Sequence, residues 1–82
     1  MKYVMVYALS TCPFCRMAKS YFDDHNISYN SVDIDLLRED EKENAIKEVQ
    51  RLSGRRAFPV IVIDEDVIVG YDELRIGEAL DK

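Results

Sequence analysis

The sequence predicts an α/β domain with the element order β-α-β-α-β-β-α, in which a four-stranded mixed sheet is covered by helices on both faces. Three observations predict it. The chain opens with a β-branched and aromatic run, passes into a helical pattern and then into an alternating run, which is a strand–helix–strand unit. Two β-branched runs near the C-terminus are separated by Asp64-Glu65-Asp66 alone, a hairpin spacing. The 82 residues, 48% hydrophobic and 33% charged, suit one globular domain spanning 1–82 and are too few for two.

Residues 2–8 read as a buried first strand. Ser10-Thr11-Cys12-Pro13 then reads as a helix start, because proline is favoured at the first helical position, where its missing N–H would be unpaired in any case. That puts Cys12 at the cap. Phe14, Met17, Ala18, Tyr21 and Phe22 continue at helical spacing to about Asp24, and His25-Asn26 fits the end. Residues 28–34 alternate as a second strand with Tyr29, Val32 and Ile34 as its apolar members. A second helix runs from Leu37 to Leu52, with Ala45, Ile46, Val49 and Leu52 as its inner stripe and Arg38 to Asn44 as a solvated face. Ser53-Gly54 stops it. Pro59 to Asp64 is a third strand, Asp64-Glu65-Asp66 a turn without glycine, and Val67-Ile68-Val69 a short fourth strand ended by Gly70. A last helix runs from about Asp72 to Leu80, weakened by Gly77. The crossover between the first two strands makes them parallel, and the tight turn makes the last two antiparallel.

Composition excludes several function classes. The net charge of −5 argues against nonspecific binding to nucleic acid or anionic lipid. No apolar run approaches the roughly 18 residues of a membrane helix, and residues 1–7 lack the pattern of a signal peptide. A soluble, cytoplasmic monomer is expected, in a compartment where thiols stay reduced. The two cysteines are three residues apart, so a bridge between them would constrain the unfolded chain very little. A disulfide scaffold is a poor reading.

Cys12-Pro13-Phe14-Cys15 carries the chemistry. Residues at i and i+3 of a helix face one another with β-carbons roughly 5–6 Å apart, close to the roughly 3.8 Å of a disulfide. Such a pair can close and open without moving the fold. The unpaired N–H groups and positive dipole end at a helix start favour a thiolate at Cys12; in motifs of this kind they lower a cysteine from about 8.5 to about 7 or below. Arg16 and Lys19 push the same way. Cys15 lies a turn further in and is expected to be more buried. Cys12 is therefore the candidate nucleophile and Cys15 the resolving thiol. Structural zinc needs about four ligands, and His25 is the one other soft candidate, so no metal site is expected.

The cysteine pair, the segment Ser53-Gly54-Arg55-Arg56-Ala57-Phe58-Pro59 and the segment Ile68-Val69-Gly70-Tyr71-Asp72-Glu73-Leu74 together resemble the glutaredoxins, in which the matching motifs are C-P-Y-C, a segment ending in T-V-P, and I-G-G-C-D-D-L. The resemblance covers nearly the whole chain and extends to redoxins of the type that serves ribonucleotide reductase. It implies a thioredoxin-like fold and a thiol–disulfide oxidoreductase acting as an electron carrier. It implies a cis Phe58–Pro59 peptide facing the cysteines, with the Phe58 backbone receiving a thiol peptide beside Pro13, Phe14 and Pro59. Gly70, Tyr71 and Asp72 would line the other side of the groove, where glutaredoxins hold the γ-glutamyl end of glutathione. Asp72 also fits a helix cap.

The chain departs from the family at two places. Leu9 stands where glutaredoxins usually carry Lys or Arg for the glycyl carboxylate of glutathione, and Val69-Gly70 replaces a glycine pair. One lost charge-assisted contact costs about 1.5–3 kcal/mol, or roughly ten- to a hundredfold in affinity. Arg55 and Arg56 are candidates to replace that charge. No bound cofactor is required, and glutathione is a candidate reductant. The partners implied are disulfide-containing proteins, ribonucleotide reductase among them, and either a thiol reductase or glutathione as electron source. A glutathione-dependent enzyme that removes glutathione from proteins, a glutathione-ligated iron–sulfur carrier and a noncatalytic interaction module are the alternatives. Proline after Cys12 and the second thiol weigh against the iron–sulfur reading.

Overall fold

The computed structural model of the protein describes residues 2–54 and 57–81. Its elements are β1 (Val4–Ala8), α1 (Pro13–Asp24), β2 (Asn30–Asp33), a 3₁₀ turn (Ile34–Leu36), α2 (Glu39–Ser53), β3 (Val60–Ile63), β4 (Asp66–Val69) and α3 (Glu73–Asp81). The sheet order is β2-β1-β3-β4. β1 runs parallel to β2 and antiparallel to β3, and β3 runs antiparallel to β4. The mixed sheet is the one expected.

Strand alternation sorts the core into two layers. Val4, Val6 and Ala8 of β1 and Ile61 and Ile63 of β3 point to one face, where Cys15, Ala18 and Phe22 of α1 and Ile76 and Ala79 of α3 cover them. Val60 points to the other face with Tyr7 and Val32, and there Val49, Ala45 and Ile46 of α2 close the core together with Ile34. Burying a side chain such as Phe22 contributes roughly 1.5–3 kcal/mol.

Several boundaries differ from the sequence reading. The second strand covers 30–33 rather than 28–34. Asn26 takes a positive φ of 56° and the Ile27 N–H donates to Phe22 O at 2.8 Å, so the chain is still leaving α1. The ladder starts only where Asn30 meets Met5. Ile34 stays buried but belongs to the 3₁₀ turn, closed by Leu37 N–H on Ile34 O. The second helix begins at Glu39, because Leu37 and Arg38 are extended; Leu37 packs against the core all the same. Asp66 is a strand residue paired with Ile63, which leaves Asp64-Glu65 as the whole hairpin loop. Asp64 supplies the positive φ (51°) that glycine would usually give, a conformation Asp tolerates. Tyr3 holds it: Tyr3 N–H donates to Asp64 Oδ1 and Asp64 N–H donates to Tyr3 O, each at 2.9 Å. The stop at Gly54 is as expected, with the left-handed φ of 77° that a helix C-terminus favours.

Register brings the segments of interest to one end of the sheet. Ala8 pairs with Asp33, Tyr7 with Val60, and Val60 with Val69. The loop leaving β1, the turn after β2, Pro59 before β3 and Gly70 after β4 therefore share that end.

Candidate functional site

Cys12 is the N-cap of α1. Its backbone is extended (φ −84°, ψ 116°), its Sγ accepts the Cys15 N–H at 3.3 Å, and Pro13 occupies the first turn. The turn before it is closed by Cys12 N–H on Leu9 O at 3.1 Å. No acidic residue stands in the first turn, so the positive end of the helix is left to the sulfur. Both cysteines are free thiols; Cys12 is half-buried and Cys15 fully buried. Burial, together with the hydrogen bond to Cys12, pushes the Cys15 thiol up to about 12, while the Leu9 backbone and the Lys19 charge pull the other way. The two sulfurs are thus unlike, one accessible at a helix cap and the other a neutral thiol in the core.

Polar contacts tie down the residues around the pair. Asp35 accepts the Ser10 N–H at 2.9 Å on Oδ1 and the Ser10 hydroxyl on Oδ2, and the Ser10 carbonyl accepts from the Arg16 guanidinium at 3.4 Å. Those two Ser10 donors hold the Asp35 carboxyl below the usual carboxylate range. Lys19 Nζ pairs with Asp33 Oδ1 at 3.0 Å, one helical turn beyond Cys15.

At the same end of the sheet stands Phe58–Pro59, whose peptide is cis. Pro59 is fully buried, and its carbonyl accepts the Gly70 N–H at 2.7 Å, which joins the two candidate segments. Gly70 leaves β4 with φ 85°, a left-handed backbone that disfavours any side chain. Tyr71 is half-buried, and its phenol is pushed above the ordinary range, first by burial and then by the Glu73 charge. Asp72 caps α3: its Oδ1 accepts the Arg75 N–H at 3.2 Å. Between α1 and the start of α3 runs a groove of about 350 Å³, whose lining includes Arg16, Met17, Tyr21 and Tyr71.

Some expectations change with the side chains in place. Phe14 and Met17 are 58% and 47% exposed, because Cys15, Ala18 and Phe22 form the row of α1 that faces the sheet. Phe14 therefore stands in solvent beside the thiols. Lys19 is paired with the Asp33 carboxylate of β2 rather than standing free. Arg55 and Arg56 lie outside the described residues. Sequence reasoning missed Asp33 and Asp35, although the alternation Val32-Asp33-Ile34-Asp35 at the end of a strand parallel to β1 was a readable signal. Among the described residues no group of three or more His, Cys, Asp or Glu side chains is arranged to hold a metal ion, and no helix is long and apolar enough to cross a membrane.

Comparisons with known proteins agree with this architecture. The glutaredoxin family model matches residues 4–68. A glutaredoxin-like 8.6 kDa protein encoded in a rubredoxin operon of Clostridium pasteurianum is 34% identical over 79 residues, 96% of this chain and 99% of that protein. Among solved structures, a glutaredoxin from Archaeoglobus fulgidus superposes with a TM-score of 0.93 at 29% identity, covering 100% of this chain and 89% of the other. Methanosarcina acetivorans methanoredoxin gives a TM-score of 0.91 at 41% identity, covering 98% and 85%. With a capped thiol and a buried thiol one turn apart at the helix start, the chain belongs to the glutaredoxin family, and its cysteine pair fits a thiol–disulfide oxidoreductase.

Proposed function

We propose that the protein reduces protein disulfides by a dithiol mechanism, with Cys12 as nucleophile and Cys15 as resolving thiol, and that it carries electrons in the cytoplasm from a thiol reductant to its targets. The observation that carries this reading is the contrast between the half-buried cap sulfur and the buried one behind it. Cys12 thiolate attacks a substrate disulfide, forming a mixed disulfide and releasing one substrate thiolate. Cys15 loses its proton and attacks Cys12 Sγ, and the bond from Cys12 to the substrate breaks. The second substrate sulfur leaves reduced, and Cys12–Cys15 holds the two-electron equivalent until a reductant restores it. Phe14, the Phe58–Pro59 segment and the Gly70-Tyr71-Asp72 turn would receive the polypeptide around the target cysteine by strand-like pairing.

A protein reductase is favoured over glutathione as the electron source. Leu9, where glutaredoxins usually carry the cation that binds glutathione, packs against the core under α2 and offers no charge. Trapping with Cys15→Ser tests the proposal: the variant is expected to hold target proteins as mixed disulfides on Cys12. Equal trapping by Cys12→Ser would reverse the assignment. Rapid turnover of a glutathionylated peptide with glutathione as sole reductant would overturn the choice of electron source.

A further inference from the structure

Resting on the dithiol reading above, we propose that Lys19, anchored by Asp33, is the positioning residue for the second step: its ammonium favours loss of the Cys15 proton once Cys12 has been consumed. The geometry converges from two elements. Lys19 follows Cys15 by one helical turn, so the two share a face of α1. Its ammonium bonds Asp33 Oδ1 at 3.0 Å, and the two side chains are only 26% and 27% exposed, so the cation is held and partly shielded from water. Asp33 pairs with Ala8 of β1, whose side chain lies in the same buried cluster as Cys15. The ammonium is therefore pinned to the strand end against which Cys15 packs.

The balance of forces on Cys15 changes during the reaction. In the free dithiol, burial and the Cys12 sulfur both oppose ionisation of Cys15, while Leu9 and Lys19 favour it. Once Cys12 is in a mixed disulfide it bears no charge, and its opposition as a neighbouring anion is lost. Burial then remains the first opposition, set against Leu9 and Lys19 with the Cys12 charge gone. Among the described residues the groups whose charge acts on the sulfur are Cys12, at the cap of α1, and Lys19 on α1, with Asp33 of β2 against the Lys19 ammonium. Asp33 holds it in place. A charge that matters only in the second step would not be found by measuring the reactivity of Cys12.

Reaction of the reduced protein with an aromatic disulfide such as Ellman's reagent separates the steps. Cys12 attack releases one aryl thiolate; Cys15 attack on the mixed disulfide releases the second and leaves Cys12–Cys15 oxidised. Lys19→Gln is expected to slow the second phase about three- to tenfold at neutral pH, and to move its pH profile upward, since one unit in a thiol's pKa is tenfold in its ionised fraction. The first phase, unchanged within about twofold, reports an intact helix start. Lys19→Arg restores the second phase by keeping the charge. The double variant Lys19→Gln/Asp33→Asn leaves no unpaired carboxylate and is expected to stay slow. An unchanged second phase in Lys19→Gln overturns the proposal, as does equal slowing of both phases or recovery in the double variant, which would blame the stranded Asp33 instead. The dithiol reading fails separately, if the unsubstituted protein shows no second phase that Cys15→Ser abolishes.

Discussion

Two helices start at the same end of the sheet and are capped in the same way. At α1 the side chain of Cys12 accepts the N–H three residues on at 3.3 Å; at α3 the side chain of Asp72 does so at 3.2 Å. One cap atom is sulfur and the other a carboxylate oxygen. Both satisfy a backbone N–H that the helix leaves unpaired, but only the sulfur can exchange with a disulfide. The backbone geometry is thus generic, and the chemistry comes from the atom placed in it.

Exchanging the cap atom at α1 tests this most directly. Cys12→Ser is expected to lower disulfide reductase turnover by at least about a thousandfold, because a hydroxyl is not ionised at neutral pH and cannot form the mixed disulfide. Serine is also a good N-cap, so thermal unfolding should move by no more than about 0.5 kcal/mol, or rise. An activity assay and a melt on the same sample read both. A large loss of stability would mean that the sulfur is structural, and the contrast between the caps would disappear.

The next contrast lies within α1. Treated with iodoacetamide at neutral pH, the reduced protein is expected to be alkylated at Cys12 alone, as peptide mapping would show. Cys15 is shielded by burial and held as a neutral thiol up to about 12. The linkage has a definite sign. The folded chain keeps the Cys15 proton where the unfolded chain gives it up, so this contribution to stability is complete below the ordinary thiol range. It is lost as pH rises through about 12. Alkaline unfolding should therefore be milder in Cys15→Ala, measured relative to that variant's own stability at neutral pH.

At α3 the expected effect is smaller and falls on the fold. Asp72→Ala should cost about 1 kcal/mol, which lowers the melting temperature by about 4–8 °C in a domain of this size. Asp72→Ser should restore most of it by capping without the charge. Reduction of protein disulfides should remain within about twofold in Asp72→Ser if the carboxylate only caps. A selective loss with glutathionylated substrates would give Asp72 a binding role as well, and the two caps would then both serve the chemistry.

What the sequence made legible follows the range of the interactions. Gly54 and the proline after Cys12 are local signals, and the helix stop and start they mark stand where they were read, while the first strand, read over 2–8, covers Val4–Ala8. The boundaries that moved depend on pairing: β2 starts where Asn30 meets Met5, and Ile34 leaves the strand for a turn although it is as apolar as a strand residue should be. The site divides in the same way. Cys12, Cys15 and the Phe58–Pro59 segment were readable because motif and position coincide. The partners of Lys19 and Arg16 were not, because charge on a helix does not say which carboxylate or carbonyl a parallel strand brings to it. Phe14 and Met17 looked like core by spacing, yet only one of two neighbouring rows on α1 meets the sheet.

The weakest expected effect concerns the loop that leads into the reactive cap. Asp35 takes both donors of Ser10, two residues before Cys12, and there is no counterpart at α3 among the described hydrogen bonds. Because those bonds hold the Asp35 carboxyl below the usual range, its contribution is present above the ordinary aspartate range and lost as pH falls through the lowered value. Asp35→Asn cannot gain or lose this charge, so its melting temperature should fall less steeply on acidification than that of the unsubstituted protein. Amide exchange at Ser10 supplies the local reading: it should quicken in the unsubstituted protein at acid pH and be quick in the variant at all pH values once intrinsic rates are divided out. Equal acid slopes in the two proteins would mean that this clamp adds nothing to the fold, leaving the Leu9–Cys12 turn and the Arg16 contact to hold the thiol loop by themselves.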